Sequence, residues 1–219
     1  TVDKAGFEKV MEEQRARARA AQKKEVISLS QIETTTPTKF VGYDALETAA
    51  KVVEVVSLKD KTAVILDTSA CYAEMGGQVG DTGLVHVPGH DRSEIGRLQV
   101  LDTQKQGELY VHRARLTDGR APEVGEAVRA AVDAGRRANI QRHHTVTHLF
   151  HWALHEVVNK DARQRGSLVA PDRLRFDFNQ PERLTEQQIA DIERLVNERL
   201  AGRRDADVEN QWAALRARF

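Results

Sequence analysis

Residues 51–68 read "KVVEVVSLKDKTAVILDT". Two β-branched runs, "KVVEVVSL" and "KTAVILDT", flank the turn-like "KDK", and this order predicts a hairpin. The pattern returns downstream, where "GRLQVLDT" and "ELYVHRARL" flank "QKQG", and "GEAVRAAVD" is expected to close the set. Short strands at close spacing between about residues 40 and 135 predict a small β-barrel or sandwich.

On either side of that β region the periodicity is helical. Residues 5–24 are rich in Glu, Ala and Arg, with a short apolar stripe of Phe7, Val10 and Met11, and predict a lead-in helix. The Ser/Thr-rich stretch through Pro37 then breaks the pattern. From about 136 a second helix is expected: Val146, Leu149, Phe150, Ala153, Leu154, Val157 and Val158 recur at helical spacing. "LRFDF" alternates as in a half-buried strand. In "TEQQIADIERLVNERLAG", Thr185 and Gln188 form a capping-box signature and Gly202 marks a stop. Residues 205–219 suggest one more amphipathic helix.

Bulk properties narrow the class. The 219 residues carry 33 Lys plus Arg against 33 Asp plus Glu, so no global field draws in nucleic acid or a membrane. The single cysteine, Cys71, excludes an intrachain disulfide framework and suits a reducing cytoplasm. No apolar run is long enough for a membrane span.

Three stretches could carry chemistry. "HHTVTHLFHWALHEVV" holds five of the eight histidines, and His144, His148, His151 and His155 fall on the face opposite the apolar stripe. His144 and His148, at i and i+4, could share a metal, or could belong to a solvated face. Thr145 follows the first of them where the metalloprotease pattern needs Glu, which disfavours that chemistry. "GGQVGDTG" (76–83) could bring backbone close to a phosphate or ribose, but lacks both the P-loop ending and the dinucleotide spacing; tight turns between strands explain it equally well. Gln164, Arg165 and Ser167 could recognise a polar ligand, and Arg136, Arg137 and Arg142 form a local basic patch of the kind that contacts phosphates.

The order of these strings is more specific than any one of them. "FVGYDALE", "AVILDTSACYAEMGGQVGDTGLV", "HHTVTHLFHWALHEVV" and "ARQRGSLVAPDRLRFDFNQPERLT" closely resemble the post-catalytic part of the alanyl-tRNA synthetase family, over residues 40 to 200. The resemblance implies an α+β fold: a helical linker (1–27), a β-barrel module (28–135) and a partial, two-layer α+β editing domain (136–219). It implies hydrolytic editing of tRNA(Ala) mischarged with serine or glycine, near-isosteres that a small synthetic pocket rejects poorly.

By the same resemblance, His144 and His148 are zinc ligands and Gln164 lies in the editing pocket. Gly76 and Gly77 are associated with the pocket and the tRNA acceptor end, and the basic patch of Arg136, Arg137 and Arg142 is assigned to tRNA. Gln164 is cast as a positioner, since a carboxamide does not titrate usefully. The family completes its zinc site with a later Cys-x-x-x-His string, which this sequence does not contain, so two of four ligands are expected here. The chain is therefore expected to be an internal fragment of an alanine–tRNA ligase, whose ATP and Mg belong to the catalytic half. Its expected partners are the acceptor end of tRNA(Ala) and the rest of the synthetase chain, with no DNA and no membrane. Two alternatives are a freestanding trans-editing deacylase and a non-catalytic module that binds the acceptor end.

Overall fold

Six antiparallel strands close into a barrel in a computed structural model that describes residues 6, 8, 10–13, 32–58, 61–89 and 93–202. They are β2 (Glu47–Leu58), β3 (Lys61–Leu66), β5 (Gly83–Pro88), β6 (Glu94–Gln106), β7 (Leu109–Gly119) and β8 (Ala127–Val132). Two short strands outside the barrel, β1 (Lys39–Phe40) and β4 (Thr68–Ser69), pair in parallel. The barrel order is β2-β3-β7-β6-β5-β8, and β8 closes the ring by pairing with β5 on one side and β2 on the other.

Both predicted hairpins are present as β2–β3 and β6–β7. β5 has no counterpart among the predicted strands. Gly83, Val85 and Val87 point inward there, but six residues ending in Pro88 give a weak strand signal.

The barrel core follows the two-residue period of its strands. Val64 and Leu66, Val85 and Val87, Leu98 and Val100, and Val128 and Ala130 all face inward. β3 is apolar throughout because its other face is also covered: Ala63 and Ile65 pack with Leu109, Val111 and Ile32. A strand buried on both faces reads as a continuous run rather than an alternation.

Helix α1 (Ala134–Val157) begins directly after β8, with Asp133 as its N-cap accepting from the Arg136 backbone. The hairpin of β9 (Gln164–Val169) and β10 (Leu174–Phe178) follows, then α2 (Glu186–Ala201). Leu149, Ala153 and Leu154 of α1 form a second core with Ile192 and Val196 of α2 and with Phe176 and Phe178 of β10. The Thr185–Gln188 capping box is made in both directions, and Gly202 caps the C-terminus of α2. Residues 6, 8 and 10–13 are helical. The remainder of the expected lead-in helix and the expected helix at 205–219 lie outside the described residues. Among the described residues no helix is long and apolar enough to cross a membrane.

Candidate functional site

The glycine-rich stretch turns at Gly76 and Gly77, both with positive φ (62° and 86°). At Gly77 this conformation is coupled to a close approach: a Cβ would lie 2.4 Å from Ser167 Oγ and 2.7 Å from Ser167 O. Only glycine fits there. The contact lets the loop dock on β9, with Val169 N–H donating to Gly77 O (2.8 Å) and Val79 N–H to Val169 O (3.1 Å).

The same loop meets α1. His144 Nδ1 lies 2.7 Å from Gln78 Oε1. Because that oxygen accepts only, Nδ1 carries the proton and the ring's lone pair sits on Nε2, the tautomer a metal or a polarised water would use. The His144 and His148 rings are 4.9 Å apart between centroids. Burial holds both pKa values below the ordinary histidine value, with His148 adding to the effect on His144 and His151 to that on His148. Both are therefore neutral at pH 7, as ligation requires.

Gln164, the first residue of β9, donates from its amide to Ser167 Oγ (3.1 Å), and Ser167 Oγ lies 3.5 Å from Gly76 O. Through Ser167, Gln164 and the glycine turn belong to one hydrogen-bonded group. The glycine loop, the His144–His148 pair and β9 thus meet at one place, although the three segments are far apart in sequence.

The three arginines do not form one exposed patch. Arg137 is 5% exposed and its donors are engaged inside the protein. Arg136 is half-buried and donates to Gly80 O (2.8 Å). Of the three, only Arg142 is exposed, donating to Asn139 (2.5 Å). Sequence spacing places charges along a helix but does not reveal an acidic partner 56 residues earlier.

The histidine stripe is also less solvated than its pattern suggests. Nε2 of His151 and of His155 lie 3.2 and 2.7 Å from the single carbonyl of Ala162, two residues before β9. His151 also packs on Phe176. Cys71, the one thiol, packs with Ala70, Val41 and Val132. Burial, with the Asp81 charge adding to it, pushes its pKa up to about 11. Among the described residues no three His, Cys, Asp or Glu side chains gather as a metal cluster. The residues present fit zinc as a pair of neighbouring imidazoles, of which His144 is oriented by Gln78 and His148 is exposed.

The family of tRNA synthetases class II (A) matches residues 1–136. Among curated proteins, the alanine–tRNA ligase of Methylacidiphilum infernorum is 45% identical over 201 residues, covering 91% of this chain and 20% of the relative. That of Akkermansia muciniphila is 43% identical over 196 residues, covering 90% of this chain and 20% of the relative. That of Thermus thermophilus is 44% identical over 214 residues, covering 90% and 23%. The chain spans about a fifth of the length of these curated relatives.

Proposed function

The chain belongs to the class II tRNA synthetase (A) family, and from that membership we propose that it is the part of an alanine–tRNA ligase that hydrolyses tRNA(Ala) mischarged with serine or glycine. The observation that carries the reading is the convergence of Gln78, His144 and Gln164 on the docked glycine loop. That convergence gathers amide, hydroxyl and imidazole groups at one place, donors and acceptors suited to the aminoacyl ester at the 3′-terminal adenosine. Charging with alanine, together with the ATP it consumes and the Mg that assists it, is assigned to the remainder of the parent enzyme, in the cytoplasm.

His144 and His148 would hold a zinc ion, with further ligands drawn from outside the described residues. When bound, the ion would orient the substrate's amino group or polarise a water. The chain's own groups do the rest. Gln78 fixes the His144 tautomer and ring orientation. The Gln164 carboxamide, held by Ser167, offers hydrogen bonds to the aminoacyl group without exchanging a proton. Gly76 has open space where a side chain would stand, so that the ribose end can approach its backbone, while Gly77 lets the loop dock on Ser167. Arg142 is the exposed guanidinium of the three and supplies a phosphate contact.

The test is hydrolysis of Ser-tRNA(Ala) and Ala-tRNA(Ala) by the parent ligase that carries this segment, and by its Gln164→Ala and His144→Ala/His148→Ala variants. The proposal expects hydrolysis of the seryl ester above the buffer rate, discrimination against the alanyl ester, and loss of activity in both variants. Equal rates for wild type and the histidine double variant would overturn it.

A further inference from the structure

We infer that Arg137 is a positioning residue of this site: its guanidinium fixes the rotation of α1 so that His144 faces Gln78. The inference rests on the reading of His144 and Gln78 as parts of the functional site.

Arg137 binds three separate segments. Its Nη1 donates to Gly42 O (2.8 Å), its Nη2 to Ala70 O (2.9 Å) and its Nε to Asp81 Oδ2 (2.9 Å), and Nη2 is also paired with Asp81. Asp81 is itself tied to the base of the glycine loop, accepting from Tyr72 N–H at 2.7 Å and donating its own N–H to Tyr72 O at 2.9 Å. A planar fork with five donors can satisfy these acceptors together; an ammonium cannot.

The geometry links this clamp to the histidines. Positions 137, 144 and 148 are 7 and 11 residues apart, or close to two and three helical turns, so they share one face of α1. The loop runs antiparallel beside that face: Asp81 meets Arg137, Gly80 O accepts from Arg136, and Gln78 meets His144. Three extended residues reach about 10 Å, and seven helical residues rise about 10 Å. The spacings match, so the loop and the helix meet in register at both ends. A helix turned by one residue would carry His144 about 100° away from Gln78.

Stability alone is a weak reason to keep such a pair. All of the pairing at Asp81 is through Oδ2, and its buried Oδ1 has no hydrogen-bond partner among the described residues. Buried ion pairs of this kind are often replaceable by apolar residues without loss of stability, and their best-attested use is to fix register.

The experiment uses that replaceability. Arg137→Met/Asp81→Leu removes the pair without leaving a lone buried charge. The His144 tautomer is read from long-range 1H–15N spectra of the chelated chain, where Nδ1–H marks the bond to Gln78 and Nε2–H is the usual form of a free imidazole. Gln78→Ala, which leaves Arg137 intact, calibrates the signal. The expected result is Nδ1–H in wild type and Nε2–H in the folded double variant, with roughly a hundredfold lower kcat for seryl ester hydrolysis and little change in KM.

A folded double variant that keeps Nδ1–H would overturn the inference, as would a wild type that lacks it. Should the double variant fail to fold, Arg137→Lys decides. It keeps the Asp81 pair but cannot hold both carbonyls, so the Nδ1–H signal is expected to disappear, and its persistence would sink the idea. No tRNA enters the tautomer measurement. A parent enzyme that hydrolyses no seryl ester therefore counts against the proposed function and leaves the clamp standing.

Discussion

His112 is fully buried in β7 with both ring nitrogens engaged. Val64 O lies 3.0 Å from Nδ1 and only accepts, so Nδ1 carries the proton and Nε2 accepts from Ser69 Oγ at 2.7 Å. Ser69 Oγ in turn accepts from Cys71 N–H (3.0 Å). The chain of bonds is complete only for the neutral ring, and burial lowers the pKa from 6.5 to about 4. As pH falls below 6.5 the unfolded chain takes a proton that the folded chain refuses, so stability declines until about pH 4, where both are protonated. The expected loss across that window is about 3 kcal/mol. Urea unfolding at pH 7 and pH 4.5 checks it, and His112→Asn should flatten the pH dependence.

Neither His112 nor Arg137 could be recognised as buried from the sequence. Each is a polar residue in an ordinary polar context whose partners arrive from distant strands and loops: Val64 and Ser69 for the one, Asp81 for the other. Gln164 and the His144–His148 pair were legible as a set only through their order along the chain, because spacing alone also fits a solvated helix face.

Among the elements, those with local signals were read well. The β2–β3 and β6–β7 hairpins follow from β-branched runs around short turns, and α2 follows from its cap and apolar face. Thr185→Ala removes one half of the capping box and is expected to cost about 1 kcal/mol, seen as a lower melting temperature with unchanged secondary structure. Elements without local signals were missed. β5 is recognisable only once β6 and β8 are there to pair with it. The far end of the histidine stripe was read as a polar surface, because the Ala162 carbonyl that His151 and His155 approach belongs to the next segment. His144, His151 and His155 on the polar face of α1 thus meet the glycine loop and the segment leading into β9, while His148 stays exposed.

For the whole molecule, the barrel and the helical part are joined by contacts that also build the site. Asp133 N–H donates to Thr82 O, Arg136 and Arg137 hold Gly80 and Asp81, Gln78 meets His144, and its neighbours Gly77 and Val79 bond to Val169. The barrel presents the glycine loop, and α1 with β9 provides what the loop packs against, so neither part alone carries all of these groups. The central claim is that the aminoacylated 3′ end of tRNA enters at this junction. The direct measurement is a titration of the 15N-labelled chain with a non-hydrolysable seryl-3′-amino-3′-deoxyadenosine, followed by backbone and side-chain amide shifts. The account predicts saturable shifts centred on Gly76, Gly77, Gln78 and Gln164 and on the His144 ring. Shifts confined to another surface, or none at saturating ligand, would contradict it.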